Sequence, residues 1–567
     1  MATMKKSLIR GVIAAAVLTG VAACNDTDLN VVNPNSGNST QLLGTPGDAE
    51  ALIGSYYKRW SSGLYGSTTD LQGMAGVQSL MNYSNLANNC LNGRTPFTGA
   101  ANTNTPGNTC FGEQFRLYQY MAEVDRVTTT YLTQVKSGKL FYTSAARDAR
   151  NKAFAEFLRG VSLGYAALMH DSATVINVGQ DAYDAGVLVS YKVAADSAYA
   201  ALQRAIDLTN LTATGDQGFP IPPEWIPSPT SWTKPNFLQL VKSYRARIRA
   251  NMARTPAERA AVDWAAVVAD AQGGFTADHL IITNTTTAPI NAWRTQYLAF
   301  TTWHQMPPFF IGMADVSGAY AAWIAQPVGE RGSGNTSFTM VTPDLRFPQG
   351  ATRAAQQADF AITSCSAAST PCKRYFVNRP GANDPAGAGW ALSNYDHVRF
   401  YSWNQKGDGS GKQNGPTPFF VKAEVDLLQA EGLYRQGNFA GAAALVNISR
   451  VTAGLPPITV FDATTPVPGG ANCVPKVPVA PFNVIACGNL FDALKYEKRI
   501  ETAYTSYAPW YLDGRGWGEL PKDTPLFWAV PFQDLQARGT AISSLYGAGP
   551  GVGNAAGSVA PLSVYGW

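Results

Sequence analysis

The segment from Val421 to Pro457, VKAEVDLLQAEGLYRQGNFAGAAALVNISRVTAGLPP, has the pattern of two helices joined by a tight turn. Apolar residues at helical spacing predict one face of the first helix: Val421, Val425 and Leu428. Gly437-Asn438 interrupts the pattern, because glycine readily adopts the positive φ that ends a helix and asparagine tolerates the turn. A second apolar face begins at Ala442. The segment therefore predicts a pair of packed helices.

The run from Ala430 to Ala442 follows the register of a tetratricopeptide repeat. In that repeat, small residues let two antiparallel helices approach each other, and an aromatic residue, here Phe439, closes the turn. An ordinary αα-hairpin gives a similar pattern. Both alternatives predict helix pairs as the basic unit of the fold.

The residues within this helix pair also resemble a signature of the SusD/RagB family, AE-x-LL-x-AEA followed by G, A, N-x-x-R and GLP. The matching residues are Glu424, Leu427-Leu428, Ala430-Glu431, Gly437, Asn447, Arg450 and Gly454-Leu455-Pro456. Members of that family are surface lipoproteins that capture nutrients for a partner outer-membrane transporter. The resemblance implies a SusC-like TonB-dependent transporter as the partner and an oligosaccharide or a peptide as the ligand.

Composition and charge limit the possible function classes. Aromatic residues reach 11% and charged residues only 14%, with 53 Gly and 35 Pro, which is typical of a compact protein with long loops. The net charge is +4, and three of the basic residues, Lys5, Lys6 and Arg10, lie near the N-terminus. The remaining charge of about +1 gives no electrostatic basis for binding nucleic acid.

The N-terminus has the features of a lipoprotein leader. Lys5, Lys6 and Arg10 precede the apolar run GVIAAAVLTGVAA, which is too short to span a bilayer but suits a secretory signal. Val21-Ala22-Ala23-Cys24 resembles a lipobox, which predicts acylation of Cys24. Asn25 follows the cysteine and does not signal inner-membrane retention. We therefore expect outer-membrane anchoring through this lipid alone, with the protein facing the cell exterior.

Six further cysteines, in an exported chain, predict disulfides. They fall into three close pairs, although six cysteines allow fifteen connectivities. Sequential pairing is the simplest interpretation: Cys90–Cys110, Cys365–Cys372 and Cys473–Cys487. A zinc site is the alternative, but there is no CxxC spacing and the chain has only 4 His. We expect no metal and no cofactor.

Further amphipathic segments extend the helical pattern along the chain. They are residues 48–60, 111–135, 145–169, 191–208, 237–252 and 264–271. The third contains AEFLRGVSLGYAAL, which resembles a helix of the same family through Ala155, Phe157-Leu158-Arg159-Gly160 and Leu168. The expected organisation is a signal peptide (1–23), a flexible tether (24–45) and one SusD-like domain (46–567), with an N-terminal helical part to about 290 and a C-terminal part from about 291.

An aromatic-rich segment interrupts this pattern between Trp293 and Trp323. Aromatic faces presented by loops can stack on sugar rings or hold apolar side chains, and in any one case core packing is the alternative. The predicted ligand contacts are Trp293, Tyr297, Trp303, Tyr320 and Trp323. At least one of the three tryptophans is expected to be exposed and to stack on the ligand.

The segment from Leu494 to Trp517 also resembles the family, through Glu497, Arg499, Glu501, Trp510, Asp513 and Arg515. Thr505-Ser506 replace the usual Glu-Gly, and Pro509 stands near the usual Arg. Asp344-Leu345-Arg346 resembles its D-x-R motif. These charged residues could pass for a catalytic group, but the resemblance places them in the helical scaffold, and we interpret them as a structural ion-pair network.

The expected protein is a binding protein and not an enzyme. The chain has no HExxH motif, no Walker A loop and no EF-hand loop, and His170 and His304 are isolated. Two carboxylates at the separation that a glycosidase needs remain possible. The predicted fold is mostly α, a tetratricopeptide-like helix-pair scaffold with long loop excursions and little β structure. Its ligand is an oligosaccharide, with peptide capture or protein scaffolding without a small ligand as the alternatives.

Overall fold

The computed structural model describes residues 43–66, 71–82, 104–107, 112–180, 185–211, 218–283, 289, 306–327, 331, 338–361, 372–379, 393–400, 415–522 and 524–539. The predicted leader and Cys24 lie outside these residues. Within the described part, no helix has the length and apolar character needed to cross a membrane.

The N-terminal half is built from eight described helices. They are α1 (Pro46–Tyr65), α2 (Leu71–Gln78), α3 (Gly112–Lys136), α4 (Ala145–Met169), α5 (Tyr191–Leu211), α6 (Lys234–Asn251), α7 (Pro256–Ala260) and α8 (Trp264–Gln272). Side-chain caps fix several starts: Thr45 accepts from the Asp48 amide before α1, and Ser144 accepts from the Arg147 amide before α4. All six amphipathic segments predicted in this half are confirmed as helices.

The described C-terminal half contributes another eight helices. They are α9 (Pro308–Ile311), α10 (Ala319–Ile324), α11 (Arg353–Asp359), α12 (Lys422–Arg435), α13 (Phe439–Thr452), α14 (Leu490–Thr502), α15 (Pro509–Trp517) and α16 (Phe532–Ala537). Two short 3₁₀ turns, Gly312–Ala314 and Gly470–Asn472, complete the helical structure.

Strands form four two-stranded antiparallel sheets within the described residues. They pair β1 (Ser172–Val175) with β2 (Val187–Ser190), β3 (His279–Thr283) with β6 (Gly415–Phe420), β4 (Phe376–Asn378) with β5 (Tyr395–His397), and β7 (Lys476–Val479) with β8 (Val484–Cys487). The β3–β6 pair joins the two halves of the chain. The prediction of a mostly α-helical fold with little β structure is confirmed.

The predicted helix pair is α12 and α13. Gly437 has a φ of 79°, as expected for the residue that ends α12. Asn438 then caps α13, its side chain accepting from the Gly441 amide at 2.9 Å. The rings of Tyr434 and Phe439 pack 5.1 Å apart across the turn.

Neighbouring helices pack against each other along much of the described chain: α3 on α4, α4 on α5, α5 on α6, and α12 on α13. Gly160 allows the approach of α4 and α5, because a Cβ there would lie 2.6 Å from Cγ of Leu202. This arrangement agrees with the predicted helix-pair scaffold.

Two large apolar clusters stabilise the described fold. The first core joins the N-terminal helices to parts of the C-terminal half, and includes Trp60, Phe157, Tyr244, Leu428 and Trp528. The second core lies within the C-terminal part and the end of α2, and includes Met81, Phe309, Tyr320, Trp323 and Trp510. Because the first core draws on both halves, their packing is continuous.

One predicted disulfide is confirmed. Cys473 and Cys487 are bonded, with their Cα atoms 5.8 Å apart, and the bond links the start of the β7–β8 hairpin to its end. Cys372 is also disulfide-bonded. Cys90, Cys110 and Cys365 lie outside the described residues, so the other two pairings stay predictions.

Candidate functional site

A buried cluster of charges around Arg259 joins four helices of the scaffold. Arg259, on α7, donates to Glu431 of α12 at 2.6 and 2.9 Å and to Asp513 of α15 at 3.0 Å. Lys498 donates to the same aspartate at 2.8 Å. Burial alone would raise the pKa of Glu431, but the charges of Arg259, Lys498 and Arg435 outweigh it and lower the pKa to about 2. The glutamate is therefore an ionised structural partner.

A second buried cluster surrounds Arg346 of the D-x-R motif. Its guanidinium donates to Asp344 at 2.7 Å, to Glu497 at 2.7 Å and to Glu501 at 3.1 Å. The Ser449 hydroxyl lies 2.8 Å from an oxygen of each glutamate. The cluster thus ties the D-x-R loop to α13 and α14.

The pKa values of Glu497 and Glu501 are shifted in opposite directions. Burial raises the pKa of Glu497 despite the charges of Arg346 and Arg450. Burial would also raise the pKa of Glu501, but Arg399 and Arg346 outweigh it and hold that pKa below its ordinary value. A difference of this kind occurs at glycosidase active sites.

The surroundings of these two glutamates favour a structural role. A groove of about 250 Å³ between α12 and α13 reaches Glu501. Both oxygens of Glu501 are already held, one by Ser449 and Arg346, the other by Tyr375 and Arg399. Side-chain exposure is 0% for Glu497. A substrate would have to displace buried ion pairs to reach either carboxylate.

The remaining motif residues are buried in the same way. Arg247 forms two hydrogen bonds, of 2.7 and 2.8 Å, with Glu424 and so ties α6 to α12. Arg499 pairs with Glu519, and Arg515 donates to the Leu526 and Asn251 carbonyl oxygens. The prediction that the charged residues of these motifs form a structural ion-pair network is confirmed.

The predicted ligand contacts that the structure describes lie in the second core. Tyr320 is 0% exposed and donates to the Phe309 carbonyl at 2.6 Å. Trp323 is 5% exposed, and its ring meets that of Phe309 edge-on at 4.6 Å. These two rings do not have the exposed position expected for stacking on a ligand, because rings from neighbouring segments cover them. Trp293, Tyr297 and Trp303 lie outside the described residues.

Two other features that could suggest catalysis are structural. His170 is buried at the end of α4, and its ring packs edge-on against Tyr118 at 5.0 Å. Residues 160–164, GVSLG, have the spacing of a nucleophile elbow, but they lie inside α4 and Ser162 is fully buried. His304 lies outside the described residues. No group of acidic, His and Cys residues suited to a metal occurs in the part of the chain that the structure describes.

Two open grooves flank α5. The first, here named the tyrosine groove, has a volume of about 440 Å³ and is lined by Tyr191, Lys192, Tyr199, Arg249, Met252, Ala253, Glu258, Ala261, Val262 and Asp263. The second, the basic groove, has a volume of about 510 Å³ and includes Lys136, Lys152, Arg159 and Arg204. Sequence reasoning identified α5 as an amphipathic helix but missed both grooves, because their walls come from segments far apart in the chain.

Comparison with known proteins finds similarity to solved structures. No protein-family model and no curated protein sequence matches the chain. A SusD superfamily protein from Bacteroides vulgatus aligns at 14% identity over 87% of this chain and 90% of its own, with a TM-score of 0.47.

Two further alignments carry ligand descriptions. A laminarin-binding SusD-like protein aligns at 12% identity over 89% of this chain and 99% of its own, with a TM-score of 0.46. A SusD-like carbohydrate-binding protein from Bacteroides fragilis aligns at 14% identity over 84% and 87%, with a TM-score of 0.44. The solved structures similar to this chain thus include SusD-like proteins, the family that its sequence motifs resemble.

Proposed function

We propose that the protein is a lipoprotein of the outer membrane that captures an oligosaccharide at the cell surface and delivers it to a SusC-like TonB-dependent transporter. One observation carries the proposal: residues that resemble the SusD/RagB signature occur in order along the chain, and their carboxylates form buried ion pairs in the folded protein. Glu424, Glu431, Glu497 and Asp513 come from three helices and hold buried arginines or a buried lysine. These residues therefore belong to the buried scaffold, as the resemblance implies.

The N-terminus supports anchoring at a membrane surface. The lipobox-like Val21-Ala22-Ala23-Cys24 follows a secretory leader, and the first described helix begins only at Pro46. The intervening residues, rich in Asn, Ser, Gly and Pro, suit a tether between the lipid and the folded part. Mass spectrometry of membrane-extracted protein should find a triacylated Cys24 at the mature N-terminus, and Cys24→Ser should leave the protein unanchored.

Capture without turnover fits the state of the motif carboxylates. Each is buried and is held by a cation or by hydrogen bonds inside the scaffold, so a substrate would have to displace these partners to reach it. Ligand binding is left to surface aromatics, and Trp293, Tyr297 and Trp303 remain the proposed contacts of the aromatic-rich segment. Stacking on a sugar ring is worth about 1 kcal/mol, so truncating a true contact should weaken binding several-fold.

The experiment is calorimetric titration of the lipid-free Cys24→Ser protein with laminarin, soluble starch, xylan and galactomannan, and with a tryptic digest of casein. The proposal expects binding of at least one polysaccharide. It also expects that Trp293→Ala or Trp303→Ala lowers that affinity with little change in melting temperature. Binding of the peptides alone would replace glycan capture with peptide capture, and binding of none of the probes would contradict the proposal.

A further inference from the structure

The tyrosine groove lies apart from the aromatic-rich segment. Its rings, Tyr191 and Tyr199, pack against the first core, whereas Tyr320 and Trp323 belong to the second core. Its volume of about 440 Å³ falls within the usual range of small-molecule sites, roughly 300 to 1,000 Å³. The groove is therefore large enough to hold a ligand of its own.

The two tyrosines are held in place by buried or partly buried arginines. The guanidinium of Arg254, which is 5% exposed, lies 3.5 Å from the ring centroid of Tyr191. The Tyr191 hydroxyl donates to Glu258 at 2.7 Å. Arg249 lies 4.9 Å from the ring centroid of Tyr199. Because a cation packs against each ring, both partly exposed rings are fixed before any ligand arrives, which lowers the entropic cost of stacking on them.

Apolar residues line part of the groove, and its two cationic side chains are paired with carboxylates. Met252, Ala253 and Val262 supply the apolar surface. Lys192 pairs with Glu258 at 3.0 Å, and Arg249 pairs with Asp270 at 3.2 Å. An ionic ligand would gain little from such a balanced rim. A ligand with an apolar face and many hydroxyl groups suits it better, since the rim charges can still accept or donate hydrogen bonds at the surface.

We infer that the tyrosine groove is a second carbohydrate site, which takes a short stretch of a neutral glycan with its apolar faces on Tyr191 and Tyr199 and its hydroxyls on Lys192, Glu258 and Asp263. This inference rests on the proposed function. Two sites on one chain would raise the apparent affinity for a long polysaccharide that reaches both, and would leave the affinity for a short oligosaccharide near that of one site.

The test uses two neighbouring exposed alanines as a matched pair. Ala261 lines the groove and Ala260 does not, so Ala261→Trp fills the groove while Ala260→Trp adds the same side chain beside it. Tyr199→Ala is the complementary variant, since it removes a ring. Each variant is titrated calorimetrically with the polysaccharide, from the panel above, that the wild-type protein binds. The melting curve of each variant is also measured.

We expect Ala261→Trp and Tyr199→Ala to lower the affinity about threefold to tenfold, with Ala260→Trp unchanged. If Tyr199→Ala fails to fold, Ala261→Trp still tests whether the tyrosine groove binds the glycan. Wild-type affinity in a folded Ala261→Trp variant would overturn the inference and leave the proposed function standing. Failure of wild type to bind any polysaccharide would overturn the proposed function, and the second site with it.

Discussion

The Arg259 cluster and the tyrosine groove use the same residue types in opposite surroundings. Arg259 and Glu431 are both 0% exposed, and the Arg259 guanidinium lies 5.2 Å from the ring of Trp264. In the groove, Lys192 is 65% exposed and its partner Glu258 is 30% exposed, beside the ring of Tyr191. Motifs of charge and aromatic residues therefore do not separate scaffold from binding surface. Exposure distinguishes the scaffold from the binding surface, because only an exposed group can exchange its partner for a ligand.

Removing a carboxylate from the Arg259 cluster should cause the largest loss of stability. Glu431→Ala would leave Asp513 as the carboxylate partner of Arg259, and would remove the acceptor of the Trp517 indole at 3.1 Å. Removing one partner of a buried ion pair costs about 3 to 5 kcal/mol. Urea unfolding should show this loss in the free energy of unfolding. A loss below about 1 kcal/mol would mean that the cluster is not a main support of the fold.

Truncating a ring of the second core should cost a similar amount. Trp323→Ala removes a ring packed against Phe309 and Phe338, and large aromatic truncations in cores cost about 3 to 5 kcal/mol. Glycan affinity, measured by calorimetry below the melting transition, should stay at the wild-type value. Retained stability with lost affinity would reverse the assignment and return Trp323 to the ligand site.

Acidification should cost the buried clusters more stability than the exposed pairs. Burial would raise the pKa of Glu519, but Arg499 and Lys495 outweigh it and lower the pKa to about 2, as for Glu431. A depressed pKa gives stability that is complete above the ordinary value of 4.5 and is lost as pH falls towards about 2, on the order of 3 kcal/mol for each group.

The difference between wild type and Glu431→Gln isolates this effect. It cancels the contributions of groups such as Asp125, whose pKa burial raises to about 6. Between pH 5 and pH 2 the urea midpoint of wild type should fall more steeply than that of the variant. Parallel curves would show that Glu431 is not held ionised by its neighbours.

Removing an exposed ion pair should cause the smallest loss of stability. Arg59 and Glu123 pair on the surface between α1 and α3, with side-chain exposures of 38% and 33%. Exposed pairs contribute about 0.2 to 1 kcal/mol and are screened by salt. Glu123→Gln should therefore change the free energy of unfolding by no more than that. A loss of stability as large as that of Glu431→Ala would show that burial does not determine how much an ion pair stabilises this protein.

Features that depend on a short segment of chain, such as the position and the end of a helix, were predictable from the sequence. The spacing of Val421, Val425 and Leu428 and the break at Gly437 locate α12 and its end, because helix periodicity and a positive φ are properties of short segments. The ion-pair network was also predictable, though only through the family resemblance. Nothing in the chain itself shows that Arg259 and Asp513 meet across 254 positions.

The exposure of individual aromatic side chains could not be predicted from the sequence. Trp323 is buried because Phe309 and Phe338, from different segments, cover it. Tyr199 lies in a groove because α6 and α7 leave space beside α5. Both outcomes depend on how distant segments pack, so an aromatic-rich stretch was the stronger sequence signal even though its described rings, Tyr320 and Trp323, are core residues.

The central claim is that the signature carboxylates hold the scaffold together and that the protein binds its glycan without cleaving it. The most direct measurement is prolonged incubation of the lipid-free Cys24→Ser protein with the polysaccharide that it binds, followed by chromatography and reducing-end detection. The account predicts saturable binding and no new reducing ends above those of a heat-denatured sample. Steady release of shorter products would contradict it, and would make Glu497 and Glu501 candidates for the acid and the nucleophile.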